Sequence, residues 1–252
     1  MMGRGYRRRG IGTAVMLLTV VVLTVALGIV TYYLMAPRVE DAVRQNQWEG
    51  IDVLEKYREN ADMVGWLQVE GTCINYPVMR GESYLRRDFS GNRSQSGSLF
   101  VEDDWDEDDM CTLIYGHNMW MYGTMLNPLH EFTDREFFGR HRKIKLYVVD
   151  EDGLDAEKRT YEIICCVRTR VDQWNYASCQ YIFGDDELSG FLEECMDKAV
   201  NKREAAAFWE EAVVLSTCSY HVKGGVGRLL LVGGLVKRES QTRLDPMLSD
   251  KT

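Results

Sequence analysis

The spacing of apolar and polar residues changes character along the chain. From Ile11 to Met35 there are 25 residues without a charge. At about 1.5 Å per helical residue they reach roughly 37 Å, enough to cross a bilayer with some tilt. Arg4, Arg7, Arg8 and Arg9 precede the stretch, and Tyr32, Tyr33 and Arg38 stand at its far end as interfacial residues do. A cleaved secretion signal has a shorter apolar core, about 7 to 15 residues, and a small-x-small cleavage site that is not evident here. The pattern predicts a cytoplasmic basic N-terminus over 1–10, a transmembrane signal anchor over 11–35, and an exterior location for residues 38–252.

Past the anchor, Val39, Ala42, Val43, Ile51 and Leu54 recur at helical spacing among charged residues, which predicts one or two amphipathic helices over 36–61. From Gly65 the chain breaks into short β-rich runs separated by Gly, Asn and Pro. They are Trp66–Val69, Cys73–Val78, Ser98–Val101, Thr112–Tyr115, Ile144–Val149, Tyr161–Val171, Ala212–Thr217 and Leu229–Val236. Eight such runs predict a closed or sandwiched β architecture. Two helices interrupt it: one over Met125–Phe138, and one starting at an Asp185 or Asp186 cap with Leu188, Phe191, Leu192, Cys195, Met196 and Ala199 on one face. That stripe reads as core contact. The stretch Glu151–Lys158 reads as a turn-like linker.

Composition narrows the function. The chain is 45% hydrophobic and 27% charged, an ordinary globular balance. Its net charge of −9 includes an arginine-rich start, so the body is more acidic still, which excludes a generally basic nucleic-acid-binding surface. Seven cysteines, Cys73, Cys111, Cys165, Cys166, Cys179, Cys195 and Cys218, are an odd number, so one at least stays unpaired even in an oxidising exterior. Cys165 and Cys166 adjoin on a strand and must face opposite ways.

Three reactive side chains fall at strand ends. His117 follows Thr112–Tyr115 through Gly116, Cys218 ends Ala212–Thr217, and Arg228 opens Leu229–Val236. A nucleophilic thiol requires an imidazole nearby and a positive or hydrogen-bonding group where the carbonyl oxygen gains charge. Taken singly, a histidine after a glycine is more often a turn residue, a lone cysteine more often a buried thiol, and an arginine at a strand start usually a solvated charge. Their order and setting carry more weight.

In those residues the chain resembles the class B sortases of Gram-positive bacteria. Thr112–Met119 (TLIYGHNM) is similar to the family's histidine motif, Leu215–Cys218 (LSTC) to its nucleophile motif, and Arg228 to its arginine at the start of the last long strand. Val64–Leu67, Gly71–Thr72, Tyr76–Val78, Gly97–Val101 and Tyr122–Met125 add weaker matches, so the resemblance spans Asp62 to Val236. It implies a mainly β fold: a closed eight-stranded sortase-type barrel with N-terminal helices and a helix-bearing insertion before the nucleophile strand, preceded by one transmembrane helix. The catalytic domain would then be 62–238 and the polar tail 239–252. A second, C-terminal membrane segment, usual in the pilus-building class C, has no counterpart in the polar 241–252.

The resemblance implies a two-step acyl transfer without metal or organic cofactor. Cys218 attacks the carbonyl of a threonine in a C-terminal sorting motif, His117 protonates the leaving amine, and Arg228 stabilises the oxyanion. An amine of a peptidoglycan precursor or a pilin then resolves the thioester. The implied partners are sorting-motif-bearing surface proteins and the membrane through 11–35, with no nucleic acid, at the Gram-positive cell surface. Ser219 and Tyr220 stand where the family often has an acidic residue, and Met79–Ser83 is a short loop lacking its asparagine. Thr217 is a strand residue or a substrate-orienting hydroxyl, and His221, three residues past Cys218, is a rival proton-transfer partner. Glu102–Asp109 carries seven carboxylates in eight positions, a solvated loop or a calcium-binding one. Two other functions remain open: a papain-like wall hydrolase, which normally has cysteine before histidine in the chain, and a non-catalytic wall-binding β-domain.

Overall fold

In the computed structural model the described residues are 7–35, 52–204, 208–222 and 224–240. They belong to two compact units that divide between Val39 and Glu40.

The first unit is helix α1 (Arg7–Met35). Its side chains are described for 16–30, and all are exposed. The two polar ones, Thr19 and Thr24, each return a hydroxyl to the carbonyl three residues earlier, at 2.9 Å. The expected helix over 11–35 is therefore present. Among the described residues, however, no helix is long and apolar enough to cross a membrane.

The described part of the second unit begins with α2 (Val53–Glu59), capped where the Asp52 carboxylate accepts from the Glu55 amide at 2.9 Å. Val53 and Leu54 bury against Met63, Met79, Tyr84 and Phe100. The rest of the expected helical segment, 36–51, and the tail 241–252 lie outside the described residues.

The strands are β1 (Met63–Val69), β2 (Asn75–Arg80), β3 (Leu99–Val101), β4 (Cys111–Tyr115), the short β5 (Asn118–Met119) and β6 (Thr124–Met125), β7 (Lys143–Val149), β8 (Ala156–Arg170), β9 (Ala199–Lys202), β10 (Ala212–Cys218) and β11 (Gly227–Ser240). Helix α3 (Arg135–Arg140) precedes β7, and α4 (Asp185–Asp197) precedes β9. Strand order runs β11–β10–β4–β3–β2–β1–β7–β8, and β8 pairs back onto β11. Eight strands thus close the barrel, the closed one of the two architectures the pattern left open and the one the resemblance implies, and closure removes the exposed edges an open sheet would carry. β9 adds to β8 beside that ring, while β5 and β6 form a separate two-stranded ribbon.

Period-two alternation separates two cores. Val213 and Leu215 of β10 join Ile114, Leu229 and Leu231 inside the barrel. Ala212 and Val214 face outward with Leu113, Leu230 and Val232, under Leu188, Phe191, Leu192 and Cys195 of α4 and Tyr176. Cys165 lies in the outer core and Cys166 in the inner one, on opposite faces as strand geometry requires. All seven cysteines carry free thiols.

The structure corrects several boundaries. Gly184 caps α4, and Asp185 and Asp186 sit in its first turn, where their charge suits the helix dipole. The helix stops at Asp197, so Ala199 opens β9, a strand too short and too exposed to show a period in sequence. The helix expected over Met125–Phe138 is two elements: a 3-10 turn, Asn127–Thr133, with Pro128 at its start, and α3, begun anew by the Asp134 cap on Phe137 at 2.8 Å. The linker after β7 is tighter than Glu151–Lys158, because β8 already begins at Ala156.

Candidate active site

β10 and β11 are antiparallel neighbours in which Cys218 and Arg228 are direct partners. Directly opposed residues share a face of the sheet. Alternation along β10 makes that the outer face, the one bearing Ala212 and Val214. β4 runs parallel to β10 on its other side, with Tyr115 opposite Ser216, so His117 emerges beside the same strand end.

Gly116 lets the chain pass close to the core there. A Cβ at that position would stand 2.4 Å from the Leu99 side chain and 2.8 Å from that of Leu126, so any larger residue would have to displace these buried leucines. Its N–H donates to Ser216 at 3.2 Å, and the buried Thr217 hydroxyl donates back to the Gly116 carbonyl at 2.9 Å. Thr217 thereby joins the two strand ends.

The three residues line one cavity of about 290 Å³. Tyr115 and Tyr176 form part of its wall, and Glu82 and Glu102 add carboxylates. His117 is half-buried, and its Nε2–H donates to the Leu85 carbonyl at 3.0 Å. Burial holds its pKa below the ordinary histidine value; the Leu85 bond works against that and the nearby Arg86 reinforces it. The ring therefore spends Nε2 on Leu85 rather than on the Cys218 thiol, which leaves Nδ1 to exchange a proton.

Arg228 is held by the glycine-rich turn before β11: its Nη1 donates to Gly225 and Gly227 carbonyls, each at 2.9 Å. Among the described residues it forms no ion pair. The Tyr176 hydroxyl is 2.9 Å from Ser216 Oγ; burial raises its pKa, and those contacts with Ser216 and Arg228 pull it partly back. The Ser219 N–H, the backbone amide that follows Cys218, is already bonded to the Gly227 carbonyl at 3.0 Å.

His221 lies elsewhere. It is exposed, with Nδ1 2.8 Å from Ser219 Oγ, and does not line the cavity. The acidic loop is pinned by Trp105, which is buried beneath the Arg80 guanidinium at 5.4 Å. Among the described residues no three acidic, histidine or cysteine side chains converge to hold a metal. Burial and mutual repulsion raise the carboxyls of Glu102, Glu107 and Asp109 above the usual range.

Sequence reasoning missed the polar groups behind Cys218. The Cys218 carbonyl accepts from Asn118 Nδ2 at 2.8 Å and lies 3.2 Å from His130 Nε2, while Asn127 Nδ2 donates to Asn118 Oδ1 at 2.7 Å. Adjacency to His117 was the one sequence signal for Asn118. His130 and Tyr176 sit on 3-10 turns, where no periodicity points to them.

No family model matches the chain. It is 26% identical to sortase B of Staphylococcus aureus (strain NCTC 8325 / PS 47) over 184 residues, 71% of this chain and 72% of that protein. It superposes on Clostridium perfringens sortase B with a TM-score of 0.64 at 26% identity, covering 73% of this chain and 98% of that one. A Streptococcus pyogenes class B sortase involved in pilus biogenesis gives a TM-score of 0.62 at 28% identity, over 75% and 100% of the two chains.

Proposed function

We propose that this chain, a class B sortase and cysteine transpeptidase by its sequence and its fold, cleaves sorting signals after threonine and joins the acyl fragment to an amine at the cell surface. The observation that carries this reading is the cross-strand pairing of Cys218 with Arg228 at the mouth of a cavity that also holds His117.

The chemistry follows from that placement. Burial keeps His117 neutral near pH 7, so it begins as a base. Its Nδ1 takes the Cys218 proton as sulfur bonds to the threonine carbonyl carbon. Negative charge gathers on the former carbonyl oxygen, and the Arg228 guanidinium donates hydrogen bonds that strengthen as that charge grows. With the Ser219 amide already committed to Gly227, the guanidinium is the nearby donor best suited to this task. The carbon–nitrogen bond then breaks, His117 returns its proton to the leaving amine, and a Cys218 thioester remains. An incoming amine attacks the thioester, gives up a proton to His117, and the new amide forms as the thiol is restored. A wall-precursor amine and a pilin lysine both fit this second step; the S. pyogenes relative, described as involved in pilus biogenesis, favours testing the latter.

Residues 11–35 serve as the membrane anchor in this reading, supported by their uncharged run behind Arg4, Arg7, Arg8 and Arg9. The domain from residue 38 on then faces outward. Protease added to intact cells is expected to digest it, and protection of it would reverse the topology.

Intact-mass measurement after mixing the protein with candidate sorting peptides tests the chemistry. An adduct of acyl mass on Cys218, discharged by added amines and absent from Cys218→Ala, is expected. Cleavage that persists in Cys218→Ala would rule the reading out.

A further inference from the structure

We infer that Asn118 is a positioning residue for the nucleophile: its side-chain amide holds the Cys218 peptide against the strand end that carries His117, and so sets the separation of thiol and imidazole. This rests on the assignment of Cys218 as the nucleophile.

Regular pairing between β4 and β10 runs out just before the reactive residues. Its last backbone bond is Gly116 N–H to Ser216 O, at 3.2 Å. Beyond that point two side chains continue the seam: the Thr217 hydroxyl on Gly116 O at 2.9 Å, and Asn118 Nδ2 on Cys218 O at 2.8 Å. On the opposite side the Ser219 N–H donates to Gly227 O at 3.0 Å. The peptide between Cys218 and Ser219 is therefore gripped at both polar ends, which fixes the backbone rotation that aims the Cys218 side chain.

The amide has only one serviceable orientation. A carbonyl cannot donate, so Nδ2 must face Cys218 O, and Asn127 Nδ2 enforces this by donating to Asn118 Oδ1 at 2.7 Å. Asn118 is 7% exposed. Its backbone lies in the β5–β6 ribbon opposite Met125, whose φ of 56° is unusual for a residue other than glycine. Leu126 N–H closes the ribbon onto the His117 carbonyl at 3.0 Å. The ribbon and the Leu126–His117 bond that closes it thus hold His117 next to the amide that grips Cys218, so one unit locates both reacting groups. Asn118 does not line the cavity, and its influence on substrate runs through Cys218.

Three variants of the full chain test this: Asn118→Ala, Asn118→Asp and Asn127→Ala. Each is measured for kcat and KM with a sorting peptide, for the pH profile of Cys218 alkylation by iodoacetamide, and for thermal midpoint. Misplacement of reacting groups by about 1 Å can cost on the order of 10²-fold. Asn118→Ala is expected to lower kcat by roughly 10 to 100-fold with KM within about threefold of wild type, and to shift the alkylation profile. Asn118→Asp keeps the size but sets an oxygen against the Cys218 carbonyl, so it should fall at least as far; Asn127→Ala, which only frees the amide to turn, should fall less. Wild-type kcat and alkylation in Asn118→Ala and Asn118→Asp would overturn the inference. So would a fall in thermal midpoint with an unchanged alkylation profile, the mark of a purely structural amide. The alkylation arm needs no turnover, so it decides the role of Asn118 even if the transpeptidase reading fails.

Discussion

The two ends of β10 hold contrasting polar clusters. Just before the strand, the Glu211 carboxylate is buried and takes Arg159 at 3.3 Å, Arg238 at 2.6 Å and the Tyr161 hydroxyl. Arg159 also donates to the Glu107 carbonyl at 2.8 Å and pairs with Glu157 at 2.7 Å. Burial alone would pull Arg159 down; Glu211, Tyr161 and Glu157 outweigh it and hold the guanidinium above its usual range. At the other end, Cys218, His117 and Arg228 line a cavity of about 290 Å³, and among the described residues Arg228 forms no ion pair. A cluster whose charges are matched within the protein is built for stability. A guanidinium that lines a cavity beside a thiol and is bonded to backbone carbonyls suits the oxyanion role proposed above for Arg228.

The largest expected effect comes from the imidazole. His117→Ala should lower turnover by about 10² to 10⁴-fold, the usual range for a lost proton-transfer group, while His221→Ala keeps most activity. Both should stay folded, since neither truncation opens a sizeable cavity. A dead His221→Ala beside an active His117→Ala would reverse the assignment.

Arg228 comes next. By comparison with other oxyanion donors, Arg228→Ala should cost about 10² to 10³ in rate, or about 3 to 4 kcal/mol, with thermal midpoint little changed. Arg228→Lys keeps the charge but not the planar fork, so it should recover only part of that loss. Near-normal turnover in Arg228→Ala would remove the residue from the mechanism.

Glu211 should behave in the opposite way. Glu211→Gln removes the buried counter-charge of the buried Arg159 guanidinium, and breaking such a pair typically costs about 3 to 5 kcal/mol. Denaturant titration should show that loss, while turnover per folded molecule stays within about twofold. If turnover falls and stability does not, the division of labour along β10 is wrong.

The smallest effect is on pH. Burial lowers the folded-state pKa of His117 and of His130, so the unfolded chain takes up those protons first as pH falls. Their contribution is present above the unfolded value of about 6.5 and is lost below it. The raised carboxyls of Glu102, Glu107 and Asp109 act in the other direction. The thermal midpoint of wild type minus that of His117→Ala should therefore shrink between pH 7.5 and about 5.5. A difference that grows on acidification would contradict a buried, neutral His117.

Sequence alone determined the alternating runs that close into the barrel, the buried stripe of α4, and the reactive types at three strand ends. Each is local: a strand face is set by period two and a helix face by period 3.6, whatever the chain meets later. The residues around His117 and Cys218 carried the family resemblance that nominated them. Only the tertiary structure decided the rest. The direct pairing of Cys218 with Arg228 depends on antiparallel register, and the nearness of His117 depends on β4 lying parallel to β10 although about a hundred residues separate them in sequence. Asn118, His130 and Tyr176 come from a ribbon and two 3-10 turns that have no period of their own, so nothing in their local sequence announces what they will touch. Their roles follow from long-range pairing, and a linear pattern carries no such information until the barrel closes.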